Sequence, residues 1–247
     1  MTGLLASVAN LAEARLVQHF GVDVIDLKAP SAGALGALEI ASVEEIVTQL
    51  DPDTLISATV GDLPLQPEIL DSAVARMWAT GVDYVKIGLF PGGDWRGSIS
   101  LLKNRARAGA RLIAVFFADC EPDIKWFDAL AAAGFSGVML DTRDKSLGSL
   151  RRIMPAQSLE GFVMNARAHG FICGLAGSLR LEDIESLAAL GPDYLGFRGA
   201  LCRGGSRIDE LDREALYAIR KKISATQKSR IDPVRSVLSR AAARFEF

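Results

Sequence analysis

The chain has 247 residues, of which 49% are hydrophobic and 23% charged, with a net charge of −2. That is an ordinary soluble composition, long enough for one large core, and it offers no electrostatic footprint for nucleic acid or an anionic membrane. No apolar run approaches the ~18 residues a membrane span needs. No basic region precedes an apolar signal core, and Cys120, Cys173 and Cys202 cannot all pair and lack zinc-site spacing, so the expected location is cytoplasmic, with reduced thiols.

Residues 4–8 read as a short apolar strand, and Asn10 caps a helix running to His19. Gly21 then opens Gly-Val-Asp-Val-Ile-Asp-Leu-Lys, a strand of alternating character that ends at Lys28. The loop over residues 29–37 is small, glycine-containing and almost uncharged, which suits close backbone approach to a ligand. Ser42, with Glu45 three residues on, predicts a capping box for the second helix. Residues 55–59 form the third strand, 61–64 a turn, and 67–80 the third helix. The fourth strand, residues 84–87, leads through Pro91-Gly92-Gly93 into a helix over 94–108. Residues 112–118 are almost wholly apolar, as expected for a central parallel strand covered on both sides. A helix over 122–133 precedes the sixth strand, which ends at Asp141. The loop 142–146 and a helix over 158–169 follow, then a strand over 171–176 ending in Gly177-Ser178. A helix over 181–190 precedes the last strand, which runs into residues 198–205, and a helix over 209–223 closes the fold.

The Gly21 pattern recurs at Gly81, Gly134 and Gly191, at spacings of 60, 53 and 57 residues, or two β/α units per step. Aligned on these glycines, one strand face carries Ile25/Leu27, Val85/Ile87, Val138/Leu140 and Leu195/Phe197. The other carries Asp26/Lys28, Lys86/Gly88, Met139/Asp141 and Gly196/Arg198. Alternating strands and helices argue for a parallel α/β fold, and the recurrence favours a closed (β/α)8 barrel over an open sheet. The second face then points inward near the C-terminal rim, where such barrels place their active sites. Residues 1–224 make the barrel domain. Residues 225–247 make an accessory tail whose Val234, Val237, Leu238 and Ala241 have helical spacing, expected to cover the barrel or a neighbouring subunit of a homo-oligomer.

Two inward lysines on alternate strands are the strongest chemical signal. A lysine inside a barrel is costly unless its charge is paired or its pKa falls, and a lowered pKa makes the amine a nucleophile toward carbonyls. Lys28 and Lys86 disfavour each other's protonation, and Asp26 and Asp141 compensate charge or carry protons. The plain alternative is a structural ion-pair cluster; the gathering of two amines and two carboxylates favours catalysis. Gly177-Ser178 and Arg198-Gly199 lie where barrels commonly bind phosphate, with Arg198 expected to grip the oxygens and Gly204 and Gly205 to add backbone donors. Lys145 can reach over the site or stand solvated on its loop. His19 and His169 fall at helix ends, Trp78, Trp95 and Trp126 read as packing residues, and nothing marks a cysteine as activated. No metal-ligand constellation stands out, and no cofactor is expected.

Six ordered motifs at strand ends resemble one family. They are Asp-Leu-Lys-Ala-Pro with Gly-Ala-Leu-Gly-Ala (26–37), Ser-Ala-Thr-Val-Gly-Asp (57–62), Tyr-Val-Lys-Ile-Gly-Leu (84–89), Met-Leu-Asp-Thr (139–142), Leu-Ala-Gly-Ser (175–178) and Arg-Gly-Ala-Leu-Cys-Arg-Gly-Gly (198–205). Together they look like the signatures of (5-formylfuran-3-yl)methyl phosphate synthase, over residues 3–223. The resemblance implies condensation of two glyceraldehyde 3-phosphate molecules into a phosphorylated furan aldehyde, with loss of phosphate and water, on the way to methanofuran. It implies that Lys28 is the Schiff-base lysine, Lys86 the acid–base lysine, and Asp26, Asp141 and Lys145 further active-site positions. On this reading Ser178, Arg198 and Gly199 hold the phosphate that remains, and Lys145 or Arg203 meets the one that leaves.

Two other readings share these residues. A class I aldolase acting on another sugar phosphate has the same barrel, lysine and phosphate loop, and differs in its product. A non-catalytic barrel that senses a phosphorylated metabolite binds the ligand without forming an imine.

Overall fold

The computed structural model describes the backbone of residues 1–242 and the side chains of residues 1–227. The strands are β1 (Gly3–Val8), β2 (Val24–Leu27), β3 (Ile56–Thr59), β4 (Tyr84–Gly88), β5 (Leu112–Phe117), β6 (Gly137–Asp141), β7 (Ile172–Leu175) and β8 (Tyr194–Phe197). They pair in sequence order, all parallel, and β8 returns to β1 to close the barrel. The helices between them are α1 (Leu11–His19), α2 (Ile40–Gln49), α3 (Pro67–Ala79), α4 (Trp95–Arg107), α5 (Trp126–Ala133), α6 (Leu150–Ile153), α7 (Ala156–Ala168) and α8 (Ile184–Leu190), and α9 (Arg213–Ala242) follows β8. The fold is the expected (β/α)8 barrel.

All eight outward positions, Ile25 and Leu27 through Leu195 and Phe197, are buried in one apolar layer between strands and helices. Removing each such side chain from water contributes about 1.5–3 kcal/mol, which is why a one-residue slip of β2, β4, β6 or β8 is excluded. A second, smaller apolar cluster lies inside the barrel, with Ile113, Val115 and Phe117 of β5, Met139 of β6 and Ala176 packed under Leu35. The interior is therefore mixed: β5 with Met139 of β6 presents an apolar wall, while Asp26 of β2, Lys86 of β4 and Asp141 at the end of β6 bring charge to the rim.

Local signals held where side chains had no competing contact. Asn10 caps α1, its side chain accepting from the Glu13 N–H at 2.9 Å. Ser42 does not cap α2, which begins two residues earlier after Glu39, so that half-buried Ile40 extends the buried stripe of Val43 and Ile46. The tertiary stripe outweighs a capping box, worth only about 1 kcal/mol. The fifth helix starts at Trp126 rather than 122, because Asp119 lies in a 3-10 turn and Glu121 takes a left-handed φ of 50°. Both Asp119 carboxylate oxygens accept from the Arg143 and Asp144 N–H groups at 2.7 Å, anchoring the loop that carries Lys145. The last helix runs unbroken through residue 224, and the tail positions Val234, Val237, Leu238 and Ala241 lie outside the residues whose side chains are described.

Candidate active site

Strand register builds the site. Ser7 is level with Asp26, Asp26 with Ser57, and Thr59 with Lys86, so these inward side chains meet across β1 to β4. The Asp26 carboxylate is fully buried and accepts from Ser7 Oγ at 2.9 Å, Ser57 Oγ at 2.7 Å and Lys86 Nζ at 2.9 Å. Burial alone pushes the Asp26 carboxyl up, but the Lys86 and Lys28 charges and these hydrogen bonds outweigh it and hold Asp26 below its ordinary value. Asp26 is thus a fixed carboxylate that orients Lys86.

Lys28 stands differently. The residue is 7% exposed, yet among the described residues its amine has no hydrogen bond or ion pair. Burial lowers its pKa to about 8, with Asp141 and Asp26 opposing and Lys145 and Lys86 reinforcing the fall. Across the barrel, Asp141 accepts from Lys145 Nζ at 2.6 Å and from the Thr142 N–H at 2.7 Å. Burial raises the Asp141 carboxyl, but Lys145, Lys28 and these bonds bring it down to about 2. Lys145 also donates to the Thr142 carbonyl at 2.5 Å, so its amine is held inward rather than solvated. All five predicted residues, Asp26, Lys28, Lys86, Asp141 and Lys145, line one cavity of about 360 Å³ at the C-terminal rim.

The predicted phosphate residues divide. Gly177, Ser178 and Gly199 line the cavity, Ser178 in a left-handed conformation with φ 48° that is uncommon outside glycine. Arg198 points inward as expected, but its guanidinium is already occupied. Nε donates to the Arg207 carbonyl, Nη1 to the Ser7 carbonyl and to Glu13, and Nη2 to Glu13 and the Asp209 carbonyl. Five donors meet five protein acceptors, so Arg198 in this arrangement fixes the rim loop and has no N–H left for a ligand. Arg203 and Gly204 lie outside the cavity wall, and Arg203, 71% exposed, faces Glu210 at 3.8 Å. In the loop 29–37 the Asp62 carboxylate accepts from the Ala34 and Leu35 N–H groups, and a Cβ at Gly33 would meet it at 2.2 Å, so the small residues let this loop pack closely on Asp62 of the loop after β3.

Two functional positions were missed. Glu13, three residues after Asn10, sits where a helix's third residue reaches back, and its Oε2 accepts from the Ala9 N–H at 2.8 Å. Its pairing with Arg198 carried no sequence signal. Arg207 lies in irregular backbone after β8 and lines the cavity, where nothing in its neighbourhood distinguishes it from Arg203. Burial pushes the Cys173 thiol up to about 12 and Cys202 up to about 11, so neither is an activated nucleophile. Among the described residues no group of three His, Cys, Asp or Glu side chains converges as a metal site, and no helix is long and apolar enough to cross a membrane.

This division has a measurable consequence. Arg203→Ala is expected to change turnover little, because its side chain is exposed and lies outside the cavity wall, and to change stability by no more than about 0.5 kcal/mol. Glu13→Gln leaves the buried Arg198 charge uncompensated and is expected to lower stability by about 3–5 kcal/mol in urea unfolding. A large activity loss in the first protein with wild-type stability in the second would reverse the assignment.

Residues 4–220 match the family model described as 4-HFC-P synthase. A Methylorubrum extorquens protein provisionally named (5-formylfuran-3-yl)methyl phosphate synthase is 44% identical over 209 residues, covering 85% of this chain and 86% of its own. The (5-formylfuran-3-yl)methyl phosphate synthases of Methanocaldococcus jannaschii and Methanothermobacter thermautotrophicus are 34% and 32% identical, covering 88% and 90% of this chain and 98% and 99% of theirs. Among solved structures, 3-hexulose-6-phosphate synthase from Salmonella typhimurium superposes with a TM-score of 0.66 at 16% identity, over 91% of this chain and 100% of that one. That likeness shows the barrel alone.

Proposed function

The chain belongs to the 4-HFC-P synthase family, and from that premise we propose that it condenses two glyceraldehyde 3-phosphate molecules into (5-formylfuran-3-yl)methyl phosphate through a Schiff base on Lys28, for methanofuran-type cofactor synthesis. The observation that carries this reading is the amine of Lys28: buried, unpartnered among the described residues, with its pKa lowered to about 8, and facing a cavity with two further amines and two carboxylates. A class I aldolase shares that amine; the family membership favours the furan synthase.

In the proposed sequence the neutral Lys28 amine adds to the aldehyde carbon of the first triose phosphate and water leaves, giving an iminium. The iminium acidifies the adjacent carbon. Lys86, held at 2.9 Å from Asp26, is placed to exchange the proton while Asp26 stays ionised. The enamine attacks the second aldehyde, and the later losses of phosphate and water need proton transfers in which Asp141 and Lys145 take part. The cavity wall at Gly177, Ser178 and Gly199 supplies the rim against which a phosphate rests.

The test is incubation with glyceraldehyde 3-phosphate, with and without borohydride. A furan aldehyde detected by its ultraviolet absorbance, and an adduct mapped to Lys28, are expected. A simple reversible aldol product would replace the furan reading with the aldolase one. Because Lys28 must be neutral to attack, imine formation should rise about tenfold per pH unit below the amine's pKa, flattening above about 8. A rate that stays flat from pH 6 to 8 would remove Lys28 deprotonation from the limiting step.

A further inference from the structure

Arg198 is the arginine the motif offers for a phosphate, and its five donors are taken. Arg207, nine residues on, is the reverse case. Its side chain is half-buried in the cavity wall, and among the described residues it makes one hydrogen bond, from Nη2 to the Gly33 carbonyl at 2.6 Å. Among the described residues the other four N–H groups of its fork have no protein acceptor, and no carboxylate lies within ion-pair distance of it. These donors are not buried: they open onto the cavity, where an anion can meet them without first breaking a bond to the protein. Burial holds Arg207 below its ordinary value, and the carboxylates that oppose this, Asp141 and Asp62, act only at longer range.

The support beneath it is rigid. Arg198 Nε donates to the Arg207 carbonyl at 2.8 Å, and the buried Glu13 pairs with Arg198, so the backbone bearing Arg207 is fixed to the start of α1. Gly33, which receives Arg207, is fixed in turn by Asp62 through the neighbouring Ala34 and Leu35. The guanidinium therefore bridges the loops after β8 and β2, the second of which begins at Lys28.

We infer that Arg207 is the residue that binds a phosphate group of the substrate, and that Arg198 with Glu13 positions it. This rests on reading the cavity as a phosphate-ester site. A planar fork with free N–H pairs suits the bidentate geometry of phosphate oxygens. A phosphate bound there shares the cavity with Lys28, so it orients a molecule whose aldehyde meets that amine.

The experiment compares the wild-type chain with Arg207→Ala and Arg207→Lys in two measurements. The first is calorimetric binding of glycerol 3-phosphate, a phosphate ester with no carbonyl to react. Arg207→Ala is expected to weaken it by about 10- to 100-fold, the range for a charged hydrogen bond, with Arg207→Lys recovering only part. The second is borohydride trapping of unphosphorylated glyceraldehyde on Lys28, expected to fall far less than ester binding in both variants, because that aldehyde has no phosphate for the guanidinium to hold. Unchanged ester binding in Arg207→Ala would overturn the assignment. So would a parallel loss of glyceraldehyde trapping, which would make Arg207 a tether for the Gly33 loop only. A wild-type chain that binds no glycerol 3-phosphate would overturn both the assignment and the phosphate-ester reading beneath it. If the ester binds and weakens as stated but no adduct forms on Lys28 with any aldehyde, the Schiff-base reading falls and Arg207 stands.

Discussion

Lys28→Met should form no borohydride-stable adduct and lose furan product by about 10⁴- to 10⁶-fold, the scale seen when a covalent nucleophile is removed elsewhere. The same substitution should make the protein no less stable at pH 7. The folded-state pKa of about 8 lies below the ordinary 10.5, so below pH 8 both folded and unfolded chains hold the proton and the fold bears the full cost of a buried charge. Between about 8 and 10.5 the folded chain has released the proton while the unfolded chain keeps it, so wild-type stability rises with pH across that window. A methionine of similar reach removes the cost, worth at most on the order of 3 kcal/mol. The urea midpoint of the variant should therefore equal or exceed that of wild type at pH 7, and the gap should narrow by pH 10. Retained turnover, with the adduct moved to Lys86 or Lys145, would exchange the lysine roles.

Lys86→Met is expected to separate two steps that Lys28→Met abolishes together. Imine trapping on Lys28 should persist, because no atom of Lys86 is needed to form it. Product formation should fall by about 10²- to 10⁴-fold, the usual contribution of a positioned acid or base. Stability moves the opposite way from the Lys28 case. Asp26 keeps its two serine donors but loses the ammonium at 2.9 Å, and a buried carboxylate without its counter-charge destabilises by about 3–5 kcal/mol. Adding Asp26→Asn to Lys86→Met should restore most of the urea midpoint and none of the turnover. If the double variant stays as unstable as the single one, the pair is not what holds this part of the barrel. If the single variant makes product at the wild-type rate, Lys86 has no part in proton transfer.

What could be read from the chain and what could not follow from how far each signal reaches. The inward placement of Asp26, Lys28, Lys86 and Asp141 follows from a period of two within a few residues, and burial of the alternate apolar positions enforces it. The barrel follows from repetition of that pattern. Arg198 was correctly placed inward by the same period, yet its role depends on Glu13, 185 residues away, and no local spacing encodes that pair. Arg207 lies where the backbone has no period at all, so its place in the cavity comes from the loop's tertiary hydrogen bonds. Ser42 with Glu45 was a sound local signal defeated by the buried stripe that begins at Ile40. The small residues of 29–37 are legible as a tight loop; that Asp62 is the group it packs on is not, because the pair spans 27 to 28 residues.

The Glu13–Arg198 pair also has a bearing on how the chain reaches its folded state. β1 finds its second neighbour only when β8 arrives, and the pair forms across nearly the whole barrel sequence. Contacts of such separation require the loop-closure entropy to be met before they return anything, which places them late and makes folding slow. Until then a chain emerging N-terminus first carries Glu13 without its cation and β1 with one open edge, a condition in which strand edges pair with the wrong partner. The residue that steadies the rim loop is also the seal on the ring, so the interval during synthesis before β8 is made is the chain's period of greatest exposure to aggregation.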